Sequence, residues 1–321
     1  MKNVEFPLTK LPCVAHRHAL STMSIGEIIT YSLLSKKCNL LVKSLHLNTE
    51  ELLVNLGDRQ IKMNIGYGLE LVQLKFNDEG DVLKMPKPIM VTLESIRLDL
   101  KKPEFNFRDW LDYFMEIFNS KSIILVFSHE KFSFPQYKMM FQGLLVEDLR
   151  CFNKDAPSYD TILDEYPMVK YFTVNTVEVT DQTVQRPLVR LQLERGPLQT
   201  DFSKFKALNL DFQYPIFGEI INDVINIMIH DLESKTESVS FVVERRYLPK
   251  NVIPAIMDGI DYQEAPKDQV RRFYRDFDKS YFRGWPEFKG GIDFERKDGV
   301  KMTLIYKEVV IHIHFVIMFW H

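Results

Sequence analysis

Three side chains near the N-terminus, Cys13, His16 and His18, are of types that bind metal ions. The spacing Cys-x-x-His-x-His is not that of a zinc finger, and no second group of ligands completes a closed site. A second pair, His312 and His314, alternates with apolar residues. Both imidazoles would lie on one face of a strand and could share a metal ion, but a strand with one polar face shows the same pattern. We expect no metal at either place.

Carboxylates that are close in the sequence could catalyse acid–base chemistry only if their surroundings separated their pKa values. Asp276 with Asp278, and Asp160 with Asp164 and Glu165, have no neighbours in the sequence that would do so. The phosphate-binding glycine motifs, the His-Glu-x-x-His motif and the Gly-x-Ser-x-Gly motif are also missing from the sequence. We therefore predict that the protein is not an enzyme and has no cofactor.

The first group of histidines falls within three short helices predicted between residues 11 and 47. Pro12 suits the first turn of helix one, where its missing N–H would have no partner. Ser24 and Glu27 match a capping box that begins helix two, and Ser35 suits the N-cap of helix three. Helices this short do not persist alone, so they are expected to pack into one module.

Downstream of the helices, strands dominate up to about residue 106, and strands then alternate with helical stretches. This alternation implies a largely parallel sheet. The strand spacing of about 20 to 36 residues overlaps that of leucine-rich-repeat solenoids, although their regular asparagine ladder is missing. We predict an α/β protein with a helical module at 1–46, a strand-rich connector at 47–106 and a strand-helix, leucine-rich-repeat-like domain at 107–321. Predicted helices cover 110–118, 136–147, 160–166 and 217–232, and predicted strands cover 122–127, 149–152, 169–174, 205–210, 238–244 and 309–320.

The last domain is predicted to end in a β-hairpin whose register can be deduced. A two-residue turn at 298–299 would put the apolar side chains of its two strands on opposite faces. A three-residue loop at 297–299 instead pairs Phe294 with Met302 and Ile292 with Leu304, and its last residue is a glycine, which accepts the left-handed conformation required there. We predict the three-residue loop.

The composition excludes several classes of protein. With 321 residues, 45% of them hydrophobic, the chain can bury a sizeable core. Its 41 basic and 44 acidic side chains nearly cancel, so no net field favours nucleic acid or an anionic membrane. Three cysteines are too few for a disulfide framework, and no apolar run is long enough to span a bilayer. We expect an intracellular protein, cytoplasmic or nuclear or both, that binds neither nucleic acid nor membrane.

Several segments resemble a known family. Residues 6–12 (Phe-Pro-Leu-Thr-Lys-Leu-Pro), 23–29 (Met-Ser-Ile-Gly-Glu-Ile-Ile) and 32–37 (Ser-Leu-Leu-Ser-Lys-Lys) resemble an F-box. Residues 107–111, 117–119 and 290–299 resemble the type 2 F-box-associated region of the nematode-expanded F-box family. Together these segments spread the resemblance over nearly the whole chain.

The resemblance implies that the protein is the substrate-recognition adaptor of an SCF-type ubiquitin ligase. The helical module would bind the Skp adaptor, and through it a cullin-RING ligase, while the downstream domain would present an unidentified protein substrate. The aromatic-rich segment 273–285 offers anchors for that substrate, but no single substrate-binding residue is predicted. The predicted adaptor-binding residues are Leu11, Pro12, Leu20, Ile28, Leu33, Leu34 and, at the polar rim, Lys36. The same apolar side chains could instead fill the core of the module.

The first helix departs from the family pattern. Such F-boxes often carry leucine and acidic residues there, whereas residues 15–19 read Ala-His-Arg-His-Ala. An alternative function is therefore a protein-interaction scaffold with a degenerate F-box and no ligase role. A metal-dependent enzyme is the remaining class, which the ligand spacing does not favour.

Overall fold

The structure of the chain is a computed structural model. The structure describes residues 11–320 except 50, 58–59, 68–69, 78–87, 94–95, 99–103, 129–133, 153–158, 176–178, 194–203, 213–217, 232–234, 273–286 and 310–311. The described residues form a mixed α/β protein, and the chain divides into two units, Met1–Val169 and Lys170–His321. The first five residues of the F-box-like segment (6–10) and the predicted substrate anchors at 273–285 lie outside the described residues.

The first unit begins with three short helices, continues with five strands, and ends with alternating helices and strands. In chain order its elements are α1 (Cys13–Ser21), α2 (Ile25–Ser32), α3 (Lys36–Lys43), β1 (Glu51–Leu56), β2 (Gln60–Tyr67), β3 (Glu70–Asn77), β4 (Pro88–Leu93), β5 (Ile96–Leu98), α4 (Phe107–Ile117), β6 (Ile123–Phe127), α5 (Phe134–Phe141), β7 (Val146–Cys151) and α6 (Tyr159–Glu165).

Strands β1 to β7 form one sheet in the order β7-β6-β1-β2-β3-β4-β5. The pairs β6–β7 and β1–β6 are parallel, and the meander from β1 to β5 is antiparallel. Because β1 pairs directly with β6, the strands predicted as a connector share a sheet with the strand–helix region that follows. The division after Val169 thus differs from the predicted boundaries at 46 and 106.

The core of the first unit follows from two periodicities. Every second residue of β1, β2 and β3 is apolar and buried, as expected for strands with one face in a core. Helix α4 buries residues at three- and four-residue spacing, namely Phe107, Trp110, Leu111, Phe114 and Ile117. The ring of Phe107 lies edge-on to Phe76 of β3 at 5.3 Å between centroids and to Phe141 of α5 at 5.7 Å. These contacts fix α4 against the sheet.

The second unit begins with four parallel strands and two helices and ends in a longer antiparallel region. In chain order its elements are β8 (Tyr171–Val174), α7 (Asp181–Val184), β9 (Arg190–Leu193), β10 (Asn209–Phe212), α8 (Gly218–His230), β11 (Ser238–Glu244), α9 (Val252–Ile256), β12 (Gln263–Glu264), β13 (Val270–Arg272), β14 (Glu287–Lys289), β15 (Ile292–Glu295), β16 (Lys301–Val309) and β17 (His312–Trp320).

The sheet of the second unit runs in the order β12-β15-β16-β17-β11-β10-β9-β8. Strands β8 to β11 are parallel and neighbour one another in chain order, as predicted from the strand–helix alternation. Strands β17, β16, β15 and β12 extend the sheet with antiparallel pairs. Strands β13 and β14 form a separate two-stranded ribbon.

The C-terminal hairpin confirms the predicted register. Phe294 pairs with Met302 and Ile292 with Leu304. The backbone N–H of Arg296 donates to the carbonyl of Val300 at 2.9 Å, which leaves three residues in the loop. Gly299 has φ +87°, the left-handed conformation that the prediction required.

Other predicted elements lie at shifted positions. The helix predicted at 136–147 ends at Phe141, because the chain turns at Gly143 (φ +75°) and strand β7 begins at Val146. The strand predicted at 205–210 lies at Asn209–Phe212, although Phe205 is still buried. Burial alone does not make a strand, and an apolar run is therefore a poor guide to strand ends.

Candidate functional site

The three N-terminal helices pack around a small apolar core. Each contributes a narrow stripe, because its apolar residues recur at three- or four-residue spacing. Burying an isoleucine, leucine or valine side chain stabilises a fold by about 1.5–3 kcal/mol, so five such positions outweigh the poor intrinsic stability of these short helices. The core positions, each at most 3% exposed, are Leu20, Ile25, Ile28, Ile29, Cys38 and Val42.

A polar pair is buried beside this core. His16 of α1 is 3% exposed, and its Nε2 lies 2.7 Å from the phenol oxygen of Tyr31 on α2. The two rings meet edge to face at 5.6 Å between centroids. Burial, followed by the hydrogen bond with the Cys38 thiol, raises the pKa of Tyr31 to about 12. The pair therefore links all three helices.

The N-termini of α2 and α3 are capped as predicted. The Ser24 hydroxyl accepts a hydrogen bond from the Glu27 backbone N–H, and the Glu27 carboxylate accepts one from the Ser24 N–H at 2.9 Å. This backbone bond, and then the bond from the Ser24 hydroxyl, lower the pKa of Glu27. Ser35 accepts a hydrogen bond from the Cys38 N–H at 3.2 Å. These caps set where each helix begins.

The helical module is attached to the rest of the first unit by polar contacts. The hydroxyls of Ser32 and Tyr113 are hydrogen-bonded, and Lys43 forms an ion pair with Glu116 of α4. Burial raises the pKa of Tyr113. The Thr49 hydroxyl donates to the carbonyl of Gly66 at 2.6 Å, which ties the segment after α3 to β2. The module thus rests on α4 and on the first sheet.

The predicted adaptor-binding residues fall into three groups. Leu20 and Ile28 fill the module core at 0% and 2% exposure, so neither is accessible to a partner in this conformation. Leu11 and Leu33 are half-buried. Pro12, Leu34 and Lys36 are exposed, and Leu34 keeps 68% of its surface in the turn between α2 and α3.

Two exposed aliphatic residues were missed by the sequence reasoning. Val14 is 82% exposed on α1, and Leu40 is 65% exposed on α3. The sequence indicates that Leu40 is exposed. It lies outside the apolar stripe that is formed, at three- and four-residue spacing, by Cys38, Leu41, Val42 and Leu45. Val14 lies on α1, where His16 and Leu20 are the buried positions among the residues whose side chains the structure describes.

The sheet of the second unit has one apolar and one polar face. The buried residues of β9, β10 and β11 that face the core are leucine, valine and phenylalanine. On the other face, Asp211 accepts hydrogen bonds from Arg190 at 2.6 Å and from the Ser240 hydroxyl at 2.7 Å. The neighbouring row carries Ser238, whose hydroxyl donates to Asn209 at 2.7 Å. These side chains form a hydrogen-bonded polar network over three adjacent parallel strands, in which Asp211, Ser238 and Ser240 are buried.

The histidines that were considered as metal ligands do not form a candidate metal site among the described residues. His16 is engaged with Tyr31, and His18 is exposed. Burial, and then the proximity of His312, lower the pKa of His314. In the part of the chain that the structure describes, no group of three cysteine, histidine or carboxylate side chains could hold a metal ion.

Comparisons with known proteins return no relative. No protein-family model, curated protein or solved structure matches the chain. Among the described residues, no helix combines the length and the apolar character needed to cross a membrane.

Proposed function

We propose that the chain is the substrate-recognition adaptor of an SCF-type ubiquitin ligase. In this proposal the helical module of α1, α2 and α3 is an F-box that docks on a Skp-type adaptor and thereby on a cullin-RING ligase. The second unit recruits a protein substrate. The F-box resemblance of the sequence motivates the proposal.

One observation carries it. Leu20, Ile28 and their neighbours fill the core of the module, whereas Leu34 is 68% exposed and Pro12 is also exposed. A leucine in a turn contributes little to the stability of the module when most of its surface remains in water. An exposed aliphatic side chain beside half-buried Leu33 is instead the kind of anchor that a partner's groove buries.

The second unit supports the role of substrate domain. Its strands β8, β9, β10 and β11 are parallel neighbours in chain order, an arrangement that a leucine-rich-repeat-like solenoid would share. Hydrogen bonds among Arg190, Asp211 and Ser240 tie these neighbouring strands together. The free thiols of Cys38 and Cys151 agree with the proposed intracellular location.

The test is direct binding of the full chain to a purified Skp-type adaptor. Leu34→Asp should weaken binding at least about 30-fold, since a central anchor contributes roughly 2 kcal/mol or more. Met168→Asp is the matched control, because Met168 is 61% exposed in the same unit but lies outside the module. Both variants should keep the circular dichroism spectrum of the wild-type chain, because each alters a side chain that is already in water.

The outcomes separate the two interaction functions. Binding that Leu34→Asp abolishes and Met168→Asp preserves supports the ligase proposal. Equal binding by both variants removes Leu34 from the interface and contradicts the observation on which the proposal rests. A folded wild-type chain that binds no Skp-type adaptor would favour the second function, a scaffold with a degenerate F-box. The observation behind this alternative is the basic surface of α1, where Arg17 and His18 are exposed.

A further inference from the structure

The sheet of the second unit has an open edge at β12. Among the described strands, β12 is the last of this sheet and pairs with β15 on its inner side. The backbone N–H of Ala265 donates to the carbonyl of Gly291 at 2.9 Å, so the amides of residues 263 and 265 face β15. Successive residues of an antiparallel strand direct their amides to opposite sides, and Glu264 therefore presents its N–H and C=O to the outside of the sheet. An unpaired strand edge is a template for a further strand.

The segment that carries this edge is held in place on both sides of β12. Upstream, the side-chain amide of Asn222 on α8 donates to the carbonyl of Ile256 at 2.7 Å and to that of Asp258 at 2.9 Å. Downstream, Ala265 is buried. Because the edge is already extended and anchored, adding a strand to it costs less conformational entropy than ordering a free loop would.

The edge is also acidic. Residues 257–270 contain four carboxylates and one basic side chain, Lys267. Asp258, Asp261 and Glu264 are exposed, and none of these three carboxylates has a hydrogen-bond or ion-pair partner among the described residues. Their charge therefore contributes no contact to the described part of the fold.

We infer that the β12 edge binds an extended, basic segment of a protein by β-strand addition. Resting on the proposed function, this inference makes that segment part of the substrate that the second unit recruits. The backbone of Glu264 pairs with the backbone of the incoming strand, and lysine or arginine side chains of that strand lie opposite Asp261 and Glu264. Main-chain hydrogen bonds supply affinity in this mode of binding, and opposite charges on neighbouring strands add selectivity. Tyr262, which is 40% exposed, offers an aromatic contact beside the edge.

A second copy of the chain would also present a strand edge, but the charges disfavour it. Pairing the β12 edges of two copies would bring Asp261 and Glu264 of one copy close to the same residues of the other. Like charges on neighbouring strands are destabilising, whereas a basic strand meets opposite charges. The same two carboxylates thus discriminate between the two occupants.

The experiment measures binding of a labelled peptide to the full chain by fluorescence anisotropy. The peptide has roughly eight residues, a usual strand length, in which lysine alternates with β-branched threonine. Glu264→Pro removes the outward N–H without costing a bond to β15, since proline is tolerated at a strand edge, and it should weaken binding at least about 10-fold. Glu264→Gln removes only the charge and should weaken binding about 2- to 5-fold. Asp223→Asn is the matched control, because Asp223 is an exposed carboxylate on α8, and it should leave the affinity unchanged.

A second peptide tests the strand without altering the protein. It has the same sequence but is methylated at alternate backbone amides, so it keeps every charge and loses the hydrogen-bond donors of one edge. The wild-type chain should bind it at least about 10-fold more weakly than the parent peptide, because strand addition depends on main-chain hydrogen bonds.

The outcomes distinguish this inference from the ligase proposal. Equal binding by Glu264→Pro and Glu264→Gln, or equal binding of the two peptides, would show that the backbone is not involved and would overturn the inference. So would a wild-type chain that does not bind the parent peptide. Binding to a Skp-type adaptor should be unaffected by Glu264→Pro, and its loss in the wild type would contradict the ligase proposal alone. A wild-type chain that dimerises while Glu264→Pro stays monomeric would replace the basic segment by a second copy.

Discussion

The imidazole of His16 and the phenol of Tyr31 share a 2.7 Å hydrogen bond inside the helical module, where both side chains are buried. Two polar groups thus stand beside a core made of leucine, isoleucine and valine. A buried polar group is tolerated only when it has a partner, so each residue depends on the other. The pair therefore adds a polar contact to the packing of α1 on α2, in addition to the buried Leu20 of α1.

Replacing Tyr31 by phenylalanine should destabilise the first unit by about 1–3 kcal/mol, because the buried His16 imidazole loses its partner. The measurement is urea-induced unfolding, with the midpoint and slope compared between variant and wild type. Tyr262→Phe is the control, since Tyr262 is 40% exposed and its hydroxyl can reach water. A Tyr31→Phe midpoint equal to that of the control would show that the hydrogen bond contributes nothing to stability.

The acid stability of the second unit should depend on Asp293. Burial raises the pKa of Asp293, but hydrogen bonds from Arg271 and Thr303, together with nearby positive charge, outweigh burial and lower it below 3.8. A carboxylate with a lowered folded pKa stabilises the fold above its unfolded pKa, and this contribution is lost as the pH falls through the folded value. The wild type should therefore lose stability relative to Asp293→Asn as the pH falls below about 3.8.

This pH dependence is measured by unfolding both proteins in denaturant at a series of pH values between neutral and about 2, a range that brackets the usual carboxyl pKa. At neutral pH the wild type should be the more stable protein, because the Arg271 guanidinium donates to both Asp293 oxygens at 2.5 Å. Parallel curves for the two proteins over the whole range would mean that the ion pair does not stabilise the fold.

Position 291 should require glycine, because of both its backbone conformation and the lack of room for a side chain. Its φ is +114°, and a Cβ there would stand 2.7 Å from Cγ2 of Thr303. Gly291→Ala should therefore destabilise the second unit by about 2–4 kcal/mol through strain and overlap, whereas Gly299→Ala, which has φ +87° but open space, should cost about 1–2 kcal/mol. Thermal unfolding of the two variants gives the comparison.

Gly66→Ala serves as the reference for these glycine variants, because it lies in a strand and a Cβ would meet nothing within 4 Å. Its melting temperature should stay unchanged or rise slightly, since alanine loses less conformational entropy than glycine on folding. A Gly291→Ala protein as stable as Gly66→Ala would contradict the close approach of Thr303.

The sequence by itself determined the features that depend on neighbours in the chain. The capping box of Ser24 and Glu27, the cap at Ser35 and the three-residue loop that ends in Gly299 were all predicted, and each is confirmed. Such features are local, because the interacting groups lie within a few residues of one another and their geometry leaves few alternatives. The mixed α/β class followed in the same way from periodicity.

Only the tertiary structure decided which apolar residues of the module are buried and which remain exposed. Leu20 and Leu34 were equivalent as sequence signals, yet one is 0% and the other 68% exposed. The difference arises because three helices can shield only the sides that face one another, and their mutual rotation is set by long-range contacts such as His16 with Tyr31. The pairing of β1 with β6 is likewise a contact between segments about 70 residues apart, which no local pattern encodes. For this reason the exposed face available to a partner had to be taken from the fold.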